Sequence, residues 1–202
     1  MAGIRRSPYR RGEARAAVLE HARVVFAERG YHAASLAEVA ARADVSETLV
    51  YRYFGSKAGL FEESIIGPGR DFVDQFLASW EERSDQPDLE EKVRELVVAL
   101  LGFVQENRGM IVAWALAESQ GPREIATDGI HGQGVRRLAA ALTGHADPDA
   151  EMAVSLGMGV ILAVVTFTDV LFAADSPNRA PGRLTEAVTQ FVLAGFLARL
   201  DP

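Results

Sequence analysis

The sequence predicts an all-α protein with a small basic head and a larger acidic body. Three observations carry that prediction. Apolar residues recur with a period near 3.6 almost throughout, and the alternation typical of half-buried strands is nearly absent. Gly and Pro punctuate the chain at short intervals, at Gly30, Gly55, Gly67-Pro68-Gly69, Gly121-Pro122, Pro148 and Pro177. Charge is also uneven: residues 1–61 hold ten basic and six acidic side chains, whereas the remainder holds eleven and 22. In a chain of net charge −7, such a head suggests that a polyanion is met by the head alone.

The elements follow in order from their punctuation. Val18, Ala22, Val25 and Phe26 share one face of a first helix that ends at Gly30. Ser35 is placed to cap a short helix, with Glu38 three residues on completing a capping box. Asp44 marks a tight turn, and Ser46 caps another short helix ending at Gly55. Ser56 starts a further helix, interrupted at Gly67-Pro68-Gly69 and resuming through Phe72, Phe76 and Trp80. Beyond a polar loop, helices are expected over about 89–106 and 109–119. The next opens at Gly121-Pro122, loosens over the glycine-rich run Gly129 to Gly134, and reaches about His145. A long apolar helix is expected at about 149–174 and a last one at about 183–200.

Composition excludes several classes of function. The 202 residues contain no cysteine, which removes disulfides, thiolate nucleophiles and Cys-ligated metals. The four histidines (His21, His32, His131, His145) have no metal-ligand spacing, so no metal and no cofactor is expected. No apolar run follows the basic N-terminal residues, as a secretory signal requires. The uncharged stretch 152–168 is read as a buried core helix and not as a membrane span. A cytoplasmic protein without a membrane partner is expected.

Residues 35–54 read as a helix-turn-helix. Leu36, Val39, Ala40 and Ala43 form the inner face of its first helix, and small Ala40 admits a close crossing. In the second helix Val50 and Phe54, four apart, point inward. Thr48, Tyr51 and Arg52 lie opposite, with Leu49 and Tyr53 on the flank. A capped helix presenting Tyr and Arg outward suits a phosphate-lined groove.

The wider stretch 15–61 resembles the DNA-binding domain of TetR-family transcriptional regulators. The resemblance rests on Phe26-Ala27-Glu28-Arg29-Gly30-Tyr31, on Ser35 with Val39-Ala40, and on Val45-Ser46. The run Tyr51-Arg52-Tyr53-Phe54-Gly55-Ser56-Lys57 with Leu60-Phe61 completes it. The resemblance implies a basic tail at 1–11, a DNA-binding head at 12–61, and an effector-binding and dimerisation body at 62–202. It implies a homodimer that binds a palindromic double-stranded operator, most simply as a repressor released by a small-molecule effector.

The same resemblance assigns Tyr51, Tyr53 and Lys57 to phosphates, and Glu47, Thr48 and Leu49 to base contacts. Ala37 approaches the same groove, and Ser35, Ser46 and Arg52 complete the DNA-contacting set. Two positions depart from the family's usual pattern. Leu49 stands where a hydroxyl residue is usual, leaving a thymine methyl as its apolar partner. Glu47 cannot hold a phosphate; it either accepts from a cytosine amino group or simply favours the helix N-terminus. The arginines Arg5, Arg6, Arg10 and Arg11 add nonspecific phosphate attraction or form an arm in the minor groove.

In the body, Phe76, Trp80, Phe103, Met110, Trp114 and Phe167 supply large apolar surface, with Glu118, Gln105 or His131 as polar handles. The resemblance implies an effector pocket lined by some of them. It also implies a dimer face from the last two helices, expected at Leu156, Val160, Val164, Val188, Phe191 and Phe196, with Gly157 and Gly159 allowing close approach. No catalytic residues are expected, because GxSxG and phosphate-loop patterns are missing. Two other readings remain: an effector-independent DNA-binding protein and an all-helical enzyme.

Overall fold

In the computed structural model, residues 12–83, 87–112 and 127–200 are described. They are helical throughout, with no strand among them. They fall into two compact units. The first holds residues 12–70 with 109–112, and the second holds 71–83, 87–108 and 127–200. The division lies between Arg70 and Asp71, beyond the boundary after Phe61 that the sequence suggests.

The first unit is built on α1 (Glu13–Ala33), α2 (Leu36–Arg42), α3 (Glu47–Phe54) and α4 (Lys57–Phe61). Helix α1 kinks at Gly30, which adopts φ 71° and ψ 170°, a conformation that Gly reaches without a Cβ clash. That kink redirects Tyr31 into the core, where its ring lies 5.1 Å from Phe61, while Phe61 meets Phe26 edge-on at 5.0 Å. Val18, Val25, Val39, Val50 and Leu60 close around these rings and are fully buried. Burial of this kind contributes roughly 1.5–3 kcal/mol per large apolar side chain.

Two local features differ from the sequence expectation, one a side-chain partner and one a helix boundary. Ser35 Oγ accepts from the Glu38 amide at 3.1 Å, but the Glu38 carboxylate does not close the capping box. It pairs instead with Arg42, one turn on, at 2.8 Å, and with Arg29 at 3.6 Å, because a charged partner outcompetes a neutral amide. Nor does the chain break at Gly67-Pro68-Gly69. Helix α4 runs through a π-helical turn (Glu62–Ile66) directly into α5 (Gly67–Glu81). Pro68 has no N–H for the carbonyl of Ser64, and that carbonyl accepts from Arg23 Nε at 3.1 Å.

The second unit comprises most of α5 together with α6 (Leu89–Glu106), α7 (Thr127–Thr143), α8 (Pro148–Thr166), the short α9 (Thr168–Leu171) and α10 (Pro181–Leu200). Helix α8 packs against α6, α7 and α10. Helix α7 is continuous across the glycine-rich run, so the expected loosening does not occur. Val135, Leu138, Ala139 and Leu142 bury its inner face, and packing overrides the weak helix propensity of glycine. Helix α8 ends eight residues short of the expected 174, with Phe167 leaving the helical region at φ −105° and ψ 19°. Thr168 Oγ1 donates to the Val164 carbonyl at 2.5 Å and Arg108 to the Thr166 carbonyl at 2.7 Å. These side-chain bonds replace the next helical turn.

Helix α8 is long and apolar enough to cross a membrane by length and composition. Here Ala153, Val154, Gly157, Ile161 and Val165 face the protein interior. Gly157 lies at the crossing with α10, where a Cβ would stand 2.9 Å from Val192 Cγ1. The close approach expected at this glycine is therefore made within the chain.

Candidate nucleic-acid interface

Sequence dictates the turn that sets α2 against α3. Asp44 takes a left-handed conformation (φ 49°), tolerated by Asp because its short polar side chain bonds locally. The Val45 amide then donates to the Ala40 carbonyl at 3.0 Å, and Ala40, almost fully buried, is small enough for α3 to cross. Ser46 Oγ accepts from the Leu49 amide at 3.2 Å, which fixes the first turn of α3. Gly55, at φ 71°, ends it.

Helix α3 buries only Val50 and Phe54. At about 100° per residue, Arg52 is two residues from each of them and so points directly away from the core. Thr48, Tyr51 and Arg52 are exposed, with Leu49 and Tyr53 half-buried on one flank. Ala37, Ser46 and Glu47 are also exposed, as is Ser35 beyond its capping bond. On α3 the expected contact residues thus lie away from the two buried positions, and Ser35 and Ala37 are open to solvent. Tyr51 exposes 51 % of its surface, which leaves its ring and hydroxyl open to a partner.

Lys57, at the start of α4, is held by contacts that the sequence does not reveal. Its Nζ donates to the His32 carbonyl at 2.9 Å and sits 4.8 Å from the centre of the Tyr31 ring. Two attractions hold it: a carbonyl near the C-terminal end of α1 and the ring quadrupole. Burial pushes its pKa below the ordinary lysine value. One ammonium hydrogen serves His32, which leaves two donors for an anion. Tyr31 and His32 are therefore part of the site. Their only sequence signal is an aromatic residue directly after the glycine at which α1 kinks.

The body's predicted residues separate. Phe76, Trp80 and Phe103 are half-buried and join a ring cluster through Phe72, with Phe72–Phe103 centroids at 4.7 Å and Phe76–Trp80 also at 4.7 Å. Trp80 Nε1 donates to Glu95 at 2.9 Å, and Arg83 pairs with the same carboxylate at 2.6 Å. Met110 is buried but groups with the first unit. Phe167, expected on a pocket wall, is 54 % exposed because the helix breaks there. Trp114 and Glu118 lie outside the described residues, as do the side chain of His131 and the arginines of the 1–11 tail. Of the residues expected on a dimer face, Leu156 and Phe191 are exposed and Val160 and Val164 half-buried, but Val188 and Phe196 lie in the chain's own core. Among the described residues no cluster of acidic or histidine side chains could hold a metal ion.

A trihelical head whose second and third helices cross at a tight turn, with a capped helix exposed on its outer side, has the architecture of a helix-turn-helix DNA-binding module. Residues 18–64 match the family described as bacterial regulatory proteins, tetR family. An HTH-type transcriptional repressor of Mycobacterium tuberculosis is 47 % identical over 53 residues, 26 % of this chain and 28 % of that protein. The transcriptional repressor BepR of Brucella suis is 34 % identical over 110 residues, 54 % of this chain and 52 % of its own. These matches span about a quarter to a half of the curated relatives' lengths. The fatty acid degradation regulator FadR of Bacillus halodurans superimposes with a TM-score of 0.68 at 25 % identity, covering 90 % of this chain and 98 % of that one. Residues 18–64 are thus similar to the DNA-binding segment of the tetR family of regulatory proteins.

Proposed function

We propose that the protein is a homodimeric transcriptional repressor, acting in the cytoplasm, that leaves its operator when a small molecule binds the helical body. The observation that carries this reading is the outward side of α3, where Thr48, Tyr51 and Arg52 are exposed. Helices of two heads seated in successive major grooves about 34 Å apart would meet a palindromic site. Tyr51 and Tyr53 flank the groove toward its phosphates, and Thr48, Leu49 and Glu47 face bases near the helix N-terminus.

The body supports the other half of the reading. The ring cluster of Phe72, Phe76, Trp80 and Phe103, with Glu95 at its edge, offers apolar surface and a carboxylate for an effector. The effector acts only by its differential affinity for the body conformation that separates the heads. The relatives' repressor names and the likeness to a fatty acid degradation regulator agree with this class of function.

Selection of bound fragments from genomic DNA by the purified protein, followed by titration at several salt concentrations, tests the reading. A reproducible palindrome bound at nanomolar to sub-nanomolar levels supports it; equal affinity for all duplexes overturns it. Lys57→Ala is expected to weaken binding to every sequence and to lower the salt slope by about one. Because burial lowers the Lys57 pKa, its ammonium is lost at a lower pH than an ordinary lysine's. On the alkaline side, wild-type affinity should therefore fall toward that of Lys57→Ala. An unchanged slope in the variant removes Lys57 as a phosphate contact.

A further inference from the structure

Arg52 differs from the other described arginines of the head. Arg15 pairs with Glu63, Arg23 donates to the Ser64 carbonyl, Arg29 pairs with Glu38, Arg42 with Glu28 and Glu38, and Arg70 with Glu62. Among the described residues no oxygen receives a bond from Arg52. Its guanidinium carbon lies instead 5.8 Å from the centre of the Tyr53 ring. Tyr53 is itself steadied edge-on by Phe54, 6.0 Å away, and Phe54 is buried. Among the described arginines of the head, Arg52 alone is thus left with its fork of donors uncommitted, held on a ring at the centre line of α3.

Position decides what such a fork meets. Side chains on the flanks of a groove-bound helix face the phosphate walls, and those diametrically opposite its packed face look at the groove floor. Arg52 is opposite the mean direction of Val50 and Phe54, the two buried residues of α3. Thr48 stands one turn before it on the same side. We propose that Arg52 reads a guanine in each operator half-site, its guanidinium donating to O6 and N7 in the major groove. This assignment rests on the reading of the head as a duplex-binding module and adds the base that the module requires. Among bases, guanine alone offers two acceptors on its major-groove edge, which matches the planar guanidinium fork. Stacking on Tyr53 holds the side chain near its working position before DNA arrives, which reduces the entropy lost on binding.

The test compares the full-length protein with Arg52→Ala and Arg52→Lys in a randomised-duplex selection. It continues with titrations of the selected site at several salt concentrations. Wild type should select a motif with one fixed G·C pair per half-site. Arg52→Ala should lose the preference at that pair and bind the selected site about five- to 150-fold more weakly per half-site, with its salt slope little changed. Replacing that guanine with 7-deazaguanine, which lacks the N7 acceptor, should weaken wild type and leave Arg52→Ala unaffected. Arg52→Lys, which lacks the planar fork, should not restore the preference. Uniform weakening across all sequences, with a slope lower by about one, would make Arg52 a phosphate contact and overturn the assignment. So would a guanine preference that survives in Arg52→Ala. Failure of wild type to select any motif takes down the duplex-binding reading as well, whereas a motif without an Arg52-dependent guanine defeats this proposal alone. Equal melting temperatures of the three proteins show that the readout is recognition and not folding.

Discussion

Leu156→Glu combined with Phe191→Glu is expected to give a folded monomer that binds its operator about 10²- to 10⁴-fold more weakly than wild type. Leu156 is 55 % and Phe191 68 % exposed, on two helices that pack side by side. Met152 and Ala163 continue the exposed stripe of α8, with Phe167 exposed just beyond its end, and Ala194 and Ala198 continue that of α10. Unpaired apolar surface of this kind marks an association site. In the proposed homodimer a second copy related by a two-fold axis would cover it with the same residues. Two carboxylates per subunit would then have to be buried without partners, a cost that dissociation avoids. Sedimentation should show half the mass and thermal unfolding should remain cooperative. A double variant that still sediments as a dimer would place the interface elsewhere.

Phe61→Ala should lower the stability of the head by about 3–5 kcal/mol. Phe61 is fully buried and touches both Phe26 and Tyr31 through edge-on ring contacts. Removing its ring leaves a cavity beneath Tyr31, and Tyr31 carries the ammonium of Lys57 on its face. Urea unfolding followed by tyrosine fluorescence should show an earlier transition for the head, with loss of duplex binding at temperatures where wild type still binds. Lys57→Ala, which leaves the rings in place, should bind less tightly at a nearly unchanged midpoint. If Phe61→Ala unfolds together with wild type, the aromatic cluster does not hold the head together.

Local chemistry made the head legible. Ser35 and Ser46 cap the helices that follow them, Gly55 stops α3, and Asp44 takes the left-handed turn, because each depends on a residue and its immediate neighbours. The partner of Glu38 was not legible in the same way. Its choice lay between a backbone amide and two arginines, one of them from α1, and only the approach of α1 to α2 settles it. The seat of Lys57 on His32 and Tyr31 likewise joins residues 25 apart in the chain.

The body was harder to read for a different reason. Helices α8 and α10 carry apolar residues around most of their circumference, so a 3.6-residue period cannot tell an inward face from an outward one. By itself the sequence determined the all-helical fold, the caps and turn of the head, and the side of α3 that turns away from its core. Those features follow from hydrogen bonds and side-chain directions within a few residues. Only the tertiary structure decided that Val188 and Phe196 belong to the core while Leu156 and Phe191 remain exposed. That choice depends on which neighbouring helix covers each face, and Gly157 admits Val192 of α10 on one side of α8 alone.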